Sequence, residues 1–342
     1  ALSLLKAVEN GKESFFSTSF PSLDHALGGG IPCSSLTELV GPANSGKTQL
    51  CLTLSVLATL PTSMNGLGGG VCYIDTQGTF GADRLIEIAQ NRFSHMFGIE
   101  NKQWELNLKN MTDSIHLMKV KSSSDLKDIL ENLQEFIIKN NIRLLIIDSF
   151  GALIRTEFSI QNPSIYNGNA KMLVERSHLI VRLASMLKFL AESFNMPTVV
   201  TNQTITVYQQ KKTVYVPPDI NDNWNESDTF VKPALGNTWA HSVNTQLWMD
   251  FCNYHPVVLR INPTIPRNIR KVTITKSPIA PDKTFYYRIT AQGIVGYISS
   301  MDSRKQSAKF YDKTSEAIDD QDISPSKKLR TNECVDQTET ET

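Results

Sequence analysis

The chain has 342 residues, 40% of them hydrophobic and 20% charged, which excludes a wholly disordered polymer and suits one large domain with appendages, or two domains. Lys and Arg number 34 against 34 Asp and Glu, so no global field gathers polyanions, and any nucleic-acid contact must come from a local basic patch. No apolar run approaches the length of a membrane span and no basic-then-apolar leader opens the chain, so neither a membrane partner nor secretion is expected.

Read in order, residues 1–20 are expected to be a linker remnant. The opening at Ala1 rather than Met suggests a missing N-terminal segment. Strand-length apolar runs then fall at Leu36–Val40, Val71–Asp75, Ile115–Lys119, Leu144–Asp148 and Thr198–Asn202. Helical patterns separate them. Gln49–Leu60 follows a glycine-rich turn; Leu126, Ile129, Leu130, Leu133 and Ile137 share one face; Leu179, Leu183, Leu187, Leu190 and Phe194 share another. Continuously apolar strands alternating with helices predict an α/β fold whose mostly parallel sheet is flanked by helices on both faces. After residue 245 the helical period stops. Segments at Leu247–Phe251, Val257–Ile261, Val272–Lys276, Tyr286–Thr290 and Val295–Ile298, parted by turn residues, predict an antiparallel C-terminal extension. No internal repeat is visible. Five cysteines (Cys33, Cys51, Cys72, Cys252, Cys334) make no C-x-x-C pair, which argues for a reducing compartment and against a structural zinc or a disulfide framework.

The core is therefore expected over residues 21–300. Residues 301–342 hold only 10 hydrophobic residues, too few to offset the entropy of ordering, and are expected to be a disordered polar tail. Ser324-Pro325 followed by Lys327, Lys328 and Arg330 reads either as a phosphosite beside a weak nuclear-import signal or as a solvated tail with incidental lysines.

The strongest chemical signal is Gly41-Pro42-Ala43-Asn44-Ser45-Gly46-Lys47-Thr48, which fits G-x-x-x-x-G-K-[ST] between a strand and a helix. Gly41 and Gly46 let such a loop curl so that backbone N–H groups face phosphate oxygens, and the helix beginning near Lys47 and Gln49 adds its positive dipole end. Lys47 is expected to meet the β- and γ-phosphates of ATP, and the Thr48 hydroxyl to ligate Mg2+. Asp148 closes a buried strand about 100 positions on, where it either holds Mg2+ through water or caps a helix. A third strand runs out into Asp75-Thr76-Gln77-Gly78-Thr79-Phe80 near the same sheet edge. A glutamate there could act as general base; the amide of Gln77 orients a water but cannot take its proton as a carboxylate would.

The P-loop, Tyr73–Phe80, the Asp148 strand, Thr201-Asn202-Gln203 and Leu235-Gly236-Asn237-Thr238-Trp239-Ala240-His241-Ser242 occur in this order in the RecA-like recombinases of eukaryotes, which the chain resembles over roughly residues 15–298. Within that family it is most similar to the B-paralogue branch, on Ala58–Thr62, Leu235–Leu247 and Lys276–Pro278. The resemblance implies a RecA-like P-loop ATPase core without the family's N-terminal helical domain. It implies an ATP-binding paralogue of homologous-recombination DNA repair in the nucleus, assembling with other paralogues (notably the C paralogue) on single-stranded DNA to support recombinase filaments. Gln77 stands where the family has its catalytic glutamate, which implies slow hydrolysis. Gln203 matches the family's sensor between nucleotide and DNA. Arg84 matches its adenine-contacting arginine, although the residue alone reads equally as a solvated helix position. His241 matches a residue reading the γ-phosphate across a subunit interface, although alone it also reads as a core histidine. Lys276 and Pro281 lie where the family caps a neighbour's ATP.

Two stretches resist a periodic reading, 155–170 and 204–234. The first carries Arg155; the second carries Tyr208, Lys211 and Lys212. Basic residues among aromatics suit single-stranded DNA, and the family's matching loops face DNA. Asp219, Asp222, Glu226 and Asp228 would repel a phosphate backbone, so the residues alone also fit a plain mobile loop. Two other functions remain open at this point: a strand-exchange recombinase forming its own filament, and a nucleotide-gated scaffold that barely turns ATP over.

Overall fold

A computed structural model describes residues 14–158, 169–208, 229–252 and 268–297. Its spine is a nine-stranded sheet. In chain order the sheet takes β3 (Leu36–Val40), β4 (Gly70–Asp75), β5 (Ile115–Lys119), β6 (Ile142–Asp148), β7 (Thr198–Asn202), β10 (Thr245–Phe251), β11 (Arg270–Lys276), β12 (Lys283–Thr290) and β13 (Gly293–Tyr297). Across the sheet the order is β13-β12-β11-β10-β3-β7-β6-β4-β5. The pairs from β10 through β5 are parallel, and those from β10 out to β13 are antiparallel. This is the predicted α/β architecture with its antiparallel C-terminal extension. The Val257–Ile261 segment lies outside the described residues.

Why the parallel strands read as unbroken apolar runs is visible in where their side chains go. Successive side chains point to opposite faces, and both faces are covered. Val71 and Tyr73 enter one core cluster while Cys72 and Ile74 enter the other; Leu144 and Ile146 divide from Leu145 and Ile147 in the same way. The first cluster is closed by the helix after the glycine loop, α2 (Lys47–Thr59), and by α3 (Ala82–Arg92). The second is closed by α6 (Ser123–Lys139) and α8 (Asn169–Phe194). Helix α6 starts where Ser122 accepts a hydrogen bond from the Asp125 N–H, and it buries Leu126, Leu130, Leu133 and Ile137 on one stripe. Leu183, Leu187 and Leu190 do the same for α8. Leu187 is fully buried, so Leu187→Ala is expected to cost about 2–5 kcal/mol of stability; a lowered urea midpoint with an unchanged slope would record it.

Three expectations need correction. The linker expected over residues 1–20 is part of the fold from Phe15 onward: β1 (Phe15–Phe16) pairs with β2 (Ile31–Pro32) around α1 (Pro21–Ala26), and Phe16 and Phe20 are core residues. The stretch 204–234 is not aperiodic at its ends. There β8 (Thr204–Tyr208) and β9 (Thr229–Pro233) form an antiparallel ladder from Thr204↔Pro233 to Tyr208↔Thr229. Arg155 belongs to α7 (Phe150–Glu157) and Asn169 to α8, which shortens the other irregular stretch from both sides. The chain divides after Tyr297, and the expected tail at 301–342 lies outside the described residues. Among the described residues no helix is long and apolar enough to cross a membrane.

Candidate nucleotide-binding site

The loop between β3 and α2 takes its shape from two glycines. At Gly41 a Cβ would stand 2.0 Å from the Met249 carbonyl oxygen, so only glycine lets the loop pass beneath β10. Gly46 has φ 110° as the residue before α2, a left-handed backbone that side chains rarely tolerate. The loop is braced from the C-terminal extension: the Tyr287 hydroxyl on β12 donates to the Ser45 carbonyl at 2.5 Å. Lys47 leans back over the loop, its Nζ donating to the carbonyls of Gly41 (2.8 Å) and Pro42 (2.7 Å). Burial pushes the Lys47 ammonium below its ordinary pKa, and the nearby Asp148 carboxylate pulls it back up. This poorly hydrated cation, with no acidic residue in the first turn of α2, favours an anion at the mouth of the loop.

Asp148, at the end of β6, is buried among hydroxyls. Its Oδ2 accepts from Thr48 Oγ1 at 2.7 Å and from the Tyr73 hydroxyl at 2.9 Å, while Oδ1 accepts from Thr201 Oγ1 at 2.6 Å. The helix-cap alternative does not apply to it, since the neighbouring Ser149 caps α7 by accepting from the Ala152 N–H. Thr48 and Asp148 thus share one corner of a cleft of about 720 Å³. Among the described residues no three of His, Cys, Asp or Glu gather into a cage that could hold a metal by itself. A hydroxyl and one carboxylate fit Mg2+, which keeps waters and takes phosphate oxygens instead of demanding an all-protein shell.

The cleft is also lined by Gln77, which follows β4, the strand paired with β6. Asp75 spends its carboxylate on the turn that presents it, accepting from the backbone N–H groups of Gln77 (3.0 Å), Gly78 (2.8 Å), Thr79 (3.2 Å) and Phe80 (3.0 Å). Gln77 is left exposed on the cleft wall. Gln203 follows β7 into the same cleft and accepts from Arg155 at 3.4 Å; Gln77, Arg155 and Gln203 line a side recess of about 320 Å³. Asp148 is the one carboxylate among the described lining residues of the main cleft.

Arg84 is not a solvated helix residue. Its Nε donates to Gln49 Oε1 (2.8 Å) and its terminal nitrogens to Glu87 (2.6 Å) and to the Thr290 carbonyl (2.5 Å), fixing it across α2, α3 and β12. Nor is His241 a core histidine: it is exposed on α9 (Asn237–Ser242) and does not line the cleft. Lys276 sits beside that helix, donating to the carbonyls of Ala240 (2.7 Å) and Val243 (2.6 Å). Tyr208 ends β8, and Lys211 and Lys212 lie outside the described residues. Sequence reasoning missed Arg270 and Ile289, which also line the cleft. Arg270 reaches the Asn44 carbonyl at 3.3 Å from β11 and packs over the Phe251 ring. Their separation of more than 220 positions from the loop hides them.

With this geometry in hand, comparison with known proteins is specific. The Rad51 family profile matches residues 14–297. The chain belongs to the Rad51 family. It is 39% identical over 288 residues to DNA repair protein RAD51 homolog 2 of Homo sapiens, covering 82% of this chain and 68% of that protein. It is 32% identical over 285 residues to DNA repair protein XRCC3 homolog of Arabidopsis thaliana, covering 80% of this chain and 90% of that one. Meiotic recombination protein DMC1 homolog of Lilium longiflorum is 32% identical over 268 residues, covering 78% of this chain and 67% of the relative. Members of the Rad51 family are DNA-dependent ATPases that bind ATP with Mg2+. The likeness to RAD51 homolog 2 agrees with the B-paralogue resemblance of the motifs.

Proposed function

We propose that this Rad51-family chain is a slow, ATP-gated paralogue of recombinational DNA repair. The observation that carries the reading is the contrast within one cleft. The parts that hold a nucleotide are in place: the Gly41–Thr48 loop, Lys47 at its mouth, Gln49 and Arg84 on the wall, and Thr48 with Asp148 at one corner. Among the described residues lining the cleft, none offers a carboxylate free to take a proton from water. Asp148 is committed to three hydroxyls, Asp75 to four backbone N–H groups, and Gln77 is an amide. Bound Mg2+ would be held by Thr48 and, through water, by Asp148, and would supply charge neutralisation at the phosphates. Lys47 binds the β- and γ-phosphates, Arg84 meets the base, and Gln77 and Gln203 orient water without deprotonating it. ATP is then retained longer than it is consumed, and the ATP-bound form is the working state.

That state acts with partners. The exposed His241 and the Lys276–Pro281 segment lie apart from the chain's own cleft, which supports a role against the nucleotide of a neighbouring RecA-like protomer, the C paralogue first among them. Arg155, beside Gln203, with Tyr208, Lys211 and Lys212 would meet single-stranded DNA, and the protein would act on chromosomal DNA in the nucleus. Steady-state ATP turnover, measured with and without single-stranded DNA, tests the reading. Slow turnover beside tight nucleotide binding is expected, with DNA raising the rate only modestly. Brisk turnover by the chain alone would overturn it, and no turnover with or without DNA would favour a nucleotide-gated scaffold instead.

A further inference from the structure

Glu38 is an acid in the middle of the central strand β3, three residues before the nucleotide loop, and its side chain is 0% exposed. A buried carboxylate is costly unless donors surround it, and here they come from three elements. Oε1 accepts from Asn202 Nδ2 on β7 and from Trp239 Nε1 on α9, both at 2.7 Å, and Oε2 accepts from Gln246 Nε2 on β10 at 2.7 Å. Gln246 is held in turn by the Thr275 hydroxyl at 2.8 Å. Burial pushes the Glu38 carboxyl above its usual range, and the three donors, with the charge of Lys276, act against that rise.

What these partners carry gives the cluster its meaning. Asn202 is the residue before Gln203, and no Cβ fits at Gly151 because its place is taken by the Asn202 side chain, so the end of β7 is clamped on both sides. Trp239 packs its ring against Phe150, the centroids 4.5 Å apart and the planes tilted by 31°, and anchors the helix that bears the exposed His241. The Asn202 carbonyl also accepts from the Gly41 N–H at 3.4 Å, where the phosphate loop begins.

We propose that Glu38 is a positioning residue for the nucleotide reaction: it ties the Asn202–Gln203 end of β7 and the α9 surface to the strand that carries the phosphate loop, so that nucleotide binding is felt at the face bearing His241. This rests on the nucleotide reading above. The test uses hydrogen–deuterium exchange on the full chain, with and without Mg2+ and a non-hydrolysable ATP analogue. In the wild type the analogue is expected to slow exchange both at residues 41–48 and at 237–242. Glu38→Gln keeps the size but sets an NH2 group against a donor on one side. It is expected to retain the slowing at 41–48, with analogue affinity within about threefold, and to lose the slowing at 237–242. Adding Gln246→Glu gives that NH2 an acceptor and leaves Thr275 one, so the double variant is expected to regain the α9 response.

Unchanged α9 slowing in Glu38→Gln, with the loop still protected, overturns the coupling alone. So does a double variant that folds and binds the analogue without the α9 response, which also decides the matter if Glu38→Gln does not fold. Absence of slowing at 41–48 in the wild type overturns the nucleotide site and the coupling together.

Discussion

Lys47→Ala is expected to weaken ATP binding by roughly a hundredfold or more. The ammonium is already stripped of much of its water and lies on the carbonyls of Gly41 and Pro42. Moving it onto phosphate oxygens exchanges neutral acceptors for charged ones, and a hydrogen bond to a charged group contributes about 1.5–3 kcal/mol. At about 1.4 kcal/mol for each factor of ten, losing two such bonds accounts for a hundredfold. The loop itself should survive, because Gly41, Gly46 and the Tyr287–Ser45 hydrogen bond shape it without Lys47. Titration with a fluorescent ATP analogue, alongside a thermal melt, separates the two effects. Unchanged affinity in a folded variant would remove the nucleotide site from this loop.

Gln77→Glu is expected to raise ATP turnover by about tenfold or more, with little change in nucleotide affinity. General-base assistance is typically worth about 10²–10⁴-fold, and the variant recovers part of it by adding a carboxylate to a cleft wall that has none available. The turn needs no rebuilding, because Asp75 holds it through the backbone N–H groups of residues 77–80, whatever side chain position 77 carries. Single-turnover and steady-state rates with the wild type and the variant provide the comparison. If the wild type is already brisk and Gln77→Glu changes nothing, proton acceptance lies elsewhere and the slow-switch reading fails.

Much of the fold was legible because burial on both faces leaves a plain trace. Leu144 to Ile147 alternate between two cores, and a strand buried on both faces has no polar side to show. The phosphate loop was legible because its chemistry is contiguous, and Asp148 because a charged residue ending an apolar strand stands out. The rest depends on contacts made only in space. Nothing local announces that Arg84 will be pinned to the Thr290 carbonyl or that Arg270 will reach Asn44. Glu38 was a signal left unread: an acid inside Leu36-Thr37-Glu38-Leu39-Val40 marks a buried polar cluster. The alternation in Thr204-Ile205-Thr206-Val207-Tyr208 likewise spelled a strand, but the lysines, prolines and acids that follow masked it.

The brace behind the phosphate loop has a consequence for how the protein is made. Ser45 waits for a hydroxyl 242 positions later, and Arg84 for a carbonyl 206 positions later. A chain still on the ribosome therefore displays the complete phosphate motif long before the last strands arrive to seat it. A message cut short before β12 would yield a product that carries the motif without the Tyr287 brace on Ser45.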